Sequence, residues 1–312
     1  VLPSISFAEG EALLDWRGLT EALAKGHDHP KAEIGDTFLY RGEDTLLSRA
    51  AWIDGLGMAV KTANIFPNNP EHGEAPINGS VVLYADKTGL PEALVDFHLV
   101  TKWKTAGDSL LGALRLANPA AKEILIVGAG TVAASLIEAF SSCYDTAQIR
   151  IWNRTQAKAE ALAKTYPDIA VAADLEPAVR QADIIVTCTM TQTPVIQGEW
   201  LRPGQHLNMI GAYRPDMREA DDAALIRSKI YTDSFDTTLD HIGEFALPLA
   251  AGVISRSDVK ADFYGLEQFP NFDTDQITLF KNGGGAHLDL MTARHILSLW
   301  QETAKGSRPS SI

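Results

Sequence analysis

The chain has 312 residues, 46% of them hydrophobic, which is enough apolar material for two packed domains of ordinary size and excludes a chain disordered throughout. Forty acidic against 27 basic side chains leave a formal net charge of −13, which repels nucleic acid and anionic membrane surfaces, and no basic cluster offsets it. Cys143 and Cys188 fall at a helix end and in an apolar strand, so they predict free core thiols in a reducing, cytoplasmic setting rather than a disulfide. Neither a run of about 18 apolar residues nor a basic, apolar leader occurs, so neither a membrane span nor a signal peptide is expected.

Taken in chain order, residues 11–25 ("EALLDWRGLTEALAK") space their apolar side chains for an amphipathic helix that stops at Gly26. The "HDH" at 27–29 then reads as a polar, solvated helix exit, and the eight histidines give no metal pattern. From about 36 to 100, short β-rich runs divided by Gly, Asn, Asp and Pro predict a mostly antiparallel sheet. A helix over about 103–117 leads to Asn118-Pro119, with Lys102 solvated at its start. Residues 122–235 alternate apolar strands with helices, the pattern of a parallel sheet covered on both faces. The C-terminal helix "LDLMTARHILSLWQETAK" is expected to return to the first domain, followed by a polar "GSRPSS" tail.

Within that alternating region, "EILIVGAGTVAASLIEAF" reads Gly128-x-Gly130-x-x-Ala133 directly after an apolar strand and at the start of a helix. Gly128 permits the tight turn, Gly130 lets backbone amides approach a pyrophosphate, and Ala133 lets helix and strand pack closely. Thr131 and Val132 begin the helix, whose N-terminus carries partial positive charge. The next strand, "QIRIWNRT", ends in Asn153, Arg154 and Thr155, where an NAD site normally carries an acid for the ribose hydroxyls. An arginine there suits a 2′-phosphate, so NADP(H) is expected over NAD(H), with NAD(H) still possible. Thr189, at the end of "DIIVTCT", joins the cofactor-binding candidates.

The segments "GMAVKTANIFPNN", "KTAGDS", "VGAGTVA", "RIWNRT", "GEWLRPGQHLNMIGAYRPDMREAD" and "FKNGGGAHLDL" occur in this order, and with them the chain resembles the ornithine cyclodeaminase and mu-crystallin family over about residues 10–300. The resemblance implies an α/β protein in which a Rossmann dinucleotide-binding domain (120–283) is inserted into an α+β substrate-binding and dimerisation domain (1–119 plus 284–312). It also implies an active site between the two domains and a homodimer. Lys61 then matches the lysine that meets the substrate carboxylate. Lys104 stands at the family's arginine position and Ser109 at its serine, so a planar fork is replaced by a point charge. Of two arginines able to replace a second family arginine, Arg49 is preferred to Arg41. Asn282 takes a serine position in a loop expected near the nicotinamide, and Asp289 fits both the family pattern and a helix N-cap.

Where cyclodeaminases of the family carry a catalytic aspartate, this chain has Tyr213, a phenol whose ordinary pKa near 10 makes it a poor proton acceptor, and Asp216 has no claim to the same geometry. The resemblance therefore implies an NAD(P)H-dependent reductase of cyclic α-imino acids such as Δ1-pyrroline-2-carboxylate or Δ1-piperideine-2-carboxylate, giving proline or pipecolate. Lys61, Lys104 and Arg49 would clamp the substrate carboxylate, with Tyr213 or a water on Asp289 supplying the proton. The alternatives are a lyase of the same family (an ornithine cyclodeaminase or a hydroxyproline dehydratase) and a non-catalytic, crystallin-like dinucleotide-binding protein. No nucleic acid, membrane or metal enters this reading; the expected partner is a small imino or amino acid.

Overall fold

The computed structural model describes residues 2–306, so the polar tail lies outside the described residues apart from Gly306. The chain divides into two compact units, the described residues of Val1–Thr105 and Gly285–Ile312 forming one and Ala106–Gly284 the other.

The first unit is built on a six-stranded sheet ordered β1-β6-β5-β4-β3-β2. Its strands are β1 (Ser4–Ile5), β2 (Glu33–Arg41), β3 (Asp44–Ile53), β4 (Gly57–Ile65), β5 (Ile77–Tyr84) and β6 (Pro91–Asp96). Strands β2 to β6 pair antiparallel in succession, as the turn-divided runs predicted, and β1 joins β6 in parallel. Helix α1 (Phe7–Glu11) is closed by a Ser6–Glu9 capping box. The helix expected from residue 11 starts instead as α2 (Trp16–Gly26), because Asp15 adopts extended backbone and accepts the Gly18 N–H as its N-cap. Helix α3 (Phe97–Leu116) begins six residues before the expected 103, since Asp96 at the end of β6 accepts the Leu99 N–H and caps it at once. The last helix, α10 (Ala286–Gly306), packs on α2 and on β3 and β4 of this same unit.

The second unit carries a seven-stranded, all-parallel sheet ordered β12-β13-β11-β10-β7-β8-β9. Its elements in sequence are β7 (Glu123–Val127), α4 (Thr131–Cys143), β8 (Gln148–Trp152), α5 (Gln156–Ala163), β9 (Ala170–Val171), α6 (Leu175–Gln181), β10 (Ile184–Thr187), β11 (His206–Met209), α7 (Asp222–Arg227), β12 (Ser228–Thr232), α8 (Phe235–Thr238), α9 (Gly243–Ala250) and β13 (Ile277–Lys281). Leu125, Val127, Ile185, Leu207, Met209, Leu279 and Phe245 form part of one continuous apolar core. The alternation read over 122–235 stops short of strand β13, five buried residues that end on a lysine. The boundary between the units falls inside α3 rather than after it at 119. The later turns of α3 belong with the parallel sheet: Ser109 bonds Asn208, the Leu116 carbonyl accepts from Thr278, and Gly112 fits against Phe280.

Candidate functional site

In the first unit, two hairpin turns decide which side chains meet. A two-residue turn at Gly42-Glu43 sets Asp36 opposite Arg49, and the turn after Ile53 sets Arg49 opposite Lys61. Side chains directly across a sheet share a face, so Asp36, Arg49 and Lys61 form a row over β2, β3 and β4. Along β4, alternation places Lys61 on the buried face with Ala59 and Ala63. Its ammonium donates 2.8 Å bonds to Asp289 Oδ1 and to Thr101 Oγ1, and the Phe97 ring centre lies 4.8 Å away.

Asp289 sits in the first turn of α10 and is 1% exposed; it is not the N-cap, and Lys61, not a backbone N–H, takes its Oδ1. Its Oδ2 is buried with no hydrogen-bond partner among the described residues. Burial alone would push this carboxyl up, but Lys61, Lys104 and Arg49 together outweigh it and hold the pKa below the usual range, so Asp289 is ionised. Burial lowers the Lys61 pKa, with Asp289 opposing and Lys104 adding to the shift. Arg49 lies within β3, bonded to Asp36 Oδ2 at 2.6 Å, whereas Arg41 is exposed and pairs with Asp44. The structure thus brings Lys61, Arg49, Lys104 and Asp289 into one electrostatic cluster. Asp36 and Thr101 are members that the sequence reading did not include; the register counted outward from the Gly42-Glu43 turn would have found Asp36.

Two sequence expectations around this cluster are corrected. Lys102 is not a solvated helix start: it pairs with Glu11 at 2.6 Å, and Glu11 also accepts from Trp103, whose ring stacks on Trp16 at 3.9 Å. His27 is not a solvated exit either. It is 5% exposed, bonds the Leu23 carbonyl and meets His287 edge-on, and burial lowers its pKa to about 4. Among the described residues no group of three or more His, Cys, Asp or Glu side chains could hold a metal ion, and no helix is long and apolar enough to cross a membrane.

In the second unit a cleft of about 350 Å³ opens at the carboxyl ends of β7, β8 and β10. Parallel sheets bind ligands in this place, where the strand order reverses between β7 and β10. Gly128 has φ +128°, and a Cβ there would stand 2.6 Å from Cys188 Sγ, so only glycine fits the turn. Gly130 is the N-cap of α4 without a side-chain cap bond, and a Cβ on it would meet nothing within 4 Å. Uncapped N–H groups of Thr131 and Val132 beside open space fit a pyrophosphate. Asn153, Arg154 and Thr155 line the adenosine-side wall, Asn153 holding the turn by a bond to the Thr155 carbonyl. Lys158, one helical turn on, lines the same wall; its N-R-T-x-x-K spacing was the available signal. Thr189 lines the opposite side with Cys188, whose thiol burial pushes well above its ordinary pKa and so keeps protonated.

Two other cofactor candidates lie deeper in this unit. The Ser109 hydroxyl donates to Asn208 Oδ1 at 2.7 Å, which makes it an internal lock between α3 and β11. Asn282 is 4% exposed, and both polar atoms of its amide lack a partner among the described residues. Tyr213 is 58% exposed, and Asp216 is paired with Arg214.

A parallel sheet ordered around a Gly-rich strand-to-helix turn defines a Rossmann-type nucleotide-binding unit, here carried within a chain whose flanking segments form a second, antiparallel unit. The comparisons narrow this class. Residues 52–304 match the profile of the ornithine cyclodeaminase/mu-crystallin family, and the chain belongs to that family. It is 45% identical over 301 residues to the Δ1-pyrroline-2-carboxylate reductase of Paracoccus denitrificans, covering 94% of this chain and 95% of the relative. It is 33% identical to mouse ketimine reductase mu-crystallin, covering 71% of this chain and 69% of that one. Among solved structures, Thermococcus litoralis Δ1-pyrroline-2-carboxylate reductase in complex with NADH and L-proline superposes with a TM-score of 0.86 at 24% identity, covering 97% and 98% of the two chains. An archaeal alanine dehydrogenase dimer with bound NAD gives a TM-score of 0.86, also at 24% identity, over 100% of this chain and 99% of the other. These two show the shared fold.

Proposed function

We propose that this chain is an NAD(P)H-dependent reductase of cyclic α-imino acids, with Δ1-pyrroline-2-carboxylate as the leading substrate. The observation that carries the reading is the charge of the Lys61 cluster. Arg49, Lys61 and Lys104 against Asp36 and Asp289 leave one positive charge in excess, which attracts the substrate carboxylate. The reductase relative at 45% identity supports the same substrate class.

The bound dinucleotide supplies the hydride; the residues supply orientation and charge. Lys61, Arg49 and Lys104 hold the substrate carboxylate and so fix the face and distance of the C=N bond. Asp289, being ionised, accepts rather than donates, and its unpartnered Oδ2 suits the N–H of a protonated imine. Holding that proton keeps the carbon electrophilic, and hydride addition then yields the neutral secondary amine. No separate donor is required at that step, and the 58% exposure of Tyr213 gives it no enclosed place from which to act. The unpartnered Asn282 amide is the candidate partner for the nicotinamide carboxamide.

The cofactor we infer is NADP(H). Arg154 and Lys158 stand at the β8 end of the cleft, where an NAD site would carry an acid, and two cations there favour a 2′-phosphate. The free thiols of Cys143 and Cys188 support a cytoplasmic setting. For the partner we infer a second copy of the chain, docked on the outward face of the first unit's sheet. There Trp52, Met58, Val60 and Tyr84 line an apolar hollow of about 410 Å³.

The test is NADPH oxidation with Δ1-pyrroline-2-carboxylate and with Δ1-piperideine-2-carboxylate, repeated with NADH, alongside ammonia release from ornithine. Turnover of at least one imine with a KM for NADPH roughly tenfold below that for NADH is expected, the difference shrinking in Arg154→Ala/Lys158→Ala. No turnover of either ring size, or ammonia release with catalytic dinucleotide, would reject the reductase. A preference for NADH would reject only the cofactor assignment.

A further inference from the structure

The "RPDMREAD" stretch contains a glutamate that the proposed chemistry leaves unused. Glu219, in the loop between β11 and α7, is fully buried. Its Oε1 accepts the Thr189 N–H at 2.7 Å and the Thr189 hydroxyl at 2.8 Å. Its Oε2 accepts the Gly211 N–H at 2.7 Å and the Ala212 N–H at 3.3 Å. Thr189 lies just beyond β10 and Gly211 just beyond β11, so one carboxylate ties together the carboxyl ends of two neighbouring parallel strands. The tie is close: a Cβ on Gly211 would stand 2.1 Å from the Thr189 carbonyl oxygen and 2.6 Å from Glu219 Oε1.

Glu219 is itself held from behind. Its backbone N–H donates to Glu244 Oε2 at 2.6 Å and the Ala220 N–H to Glu244 Oε1 at 3.1 Å. The Lys281 ammonium donates to the Met209, Ala212 and Asn282 carbonyls around the same strand ends. A buried carboxylate is tolerated only when its lone pairs are taken up, and here four donors take them. Two of the four belong to Thr189, a residue of the dinucleotide cleft.

The adenosine half of a dinucleotide lies on the β8 side of such a cleft and the nicotinamide half on the side of β10 and β11. We propose that Glu219 is a positioning residue for the nicotinamide half: by fixing Thr189 against Gly211 it sets the wall past which that half must lie. The proposal rests on the reading of the cleft as a dinucleotide site. Carboxylate chemistry is required at this position, since an amide of the same shape offers one acceptor and turns an NH2 toward N–H groups that have nothing else to bond.

The test compares Glu219→Gln with the parent chain in two binding measurements, one with NADPH and one with 2′,5′-ADP, which carries the adenosine half alone. The Kd for NADPH should rise roughly tenfold or more while that for 2′,5′-ADP stays within about twofold. At saturating NADPH, the KM for the imino acid should change by less than about threefold. If Glu219→Gln does not fold, Thr189→Val removes one of the four donors and leaves the carboxylate. It should weaken NADPH roughly threefold and 2′,5′-ADP not at all. Equal weakening of both ligands, or of neither, would overturn the proposal. Failure of the parent chain to bind NADPH and NADH would instead overturn the dinucleotide reading beneath it.

Discussion

Lys61 and Asp289 are mutually dependent. Removing one member of a buried ion pair leaves the other as an uncompensated charge, at a cost of about 3–5 kcal/mol. Lys61→Met should therefore lower kcat/KM for the imino acid by roughly 100-fold or more and also lower the melting temperature. Lys104 acts on the cluster through its charge. Lys104→Ala should raise KM for the imino acid roughly tenfold with the fold intact, and Lys104→Arg should restore most of it. Steady-state kinetics with thermal melts on the three variants would separate the roles; unchanged kinetics in Lys104→Ala would remove it from the carboxylate clamp. Lys61 was legible from its place after "GLGMAV", because a lysine on an inward strand position needs a partner. Asp289's actual partner was not, since Lys61 and Asp289 are 228 residues apart in the chain.

At the scale of elements, the hairpin β2–β3 and strand β4 carry two different surfaces on their two faces. The inward face bears Arg49 and Lys61; the outward one aligns Trp52, Met58 and Tyr84 as direct neighbours. Trp52 is 49% exposed, and Leu39 and Leu46, paired on the same outward face of the hairpin, are exposed as well. A contiguous apolar face of this kind marks an interface. Trp52→Glu should shift the chain from dimer to monomer in sedimentation velocity, whereas a monomeric parent chain would refute the docking face. Alternation and turns made most of these strands readable, and Gly128 and Gly130 disclosed the β7–α4 turn through their own backbone needs. Helix starts were read less well: Asp15 and Asp96 act as caps only because the preceding segments enter at the required angle, which neighbours decide. Lys102 and His27 looked polar and therefore exposed, but Glu11 and the Leu23 carbonyl receive them.

Over the whole molecule, buried histidines and a buried glutamate set opposing pH dependences. His27 and His206 are held near pKa values of about 4 and about 3 by burial, below the ordinary histidine range. Their contribution to stability is complete above pH about 6.5 and is lost as the pH falls toward those values, because only the unfolded chain takes up the protons. Burial, with Glu219 nearby, raises Glu244 to about 7, so its contribution is complete below pH about 4.5 and lost as the pH rises through 7. Buried His287, its pKa also lowered well below the ordinary range by burial, adds to the histidine side, and three protons against one give a melting temperature that climbs to a maximum near pH 6.5 and then eases. His27→Asn, which keeps a donor for the Leu23 carbonyl, should flatten the acid limb, and Glu244→Gln should remove the decline above the maximum. A pH-independent melting temperature would contradict the assignment.

The position of β13 bears on the order in which the chain can assemble. This last strand lies between β11 and β12, both of which precede it in sequence, and α10 follows directly to pack on β3 and β4. During synthesis from the N-terminus, β11 and β12 emerge with a gap between them that only residues 277–281 can fill. The first unit waits longer still, holding Lys61 without its carboxylate until Asp289 arrives. The second unit cannot close before the ribosome has passed this point, so the nascent chain presents unpaired edges of β11 and β12 until β13 emerges. Such a chain depends on long-range closure, the slow and aggregation-exposed kind, and on whatever in the cell shields it until then.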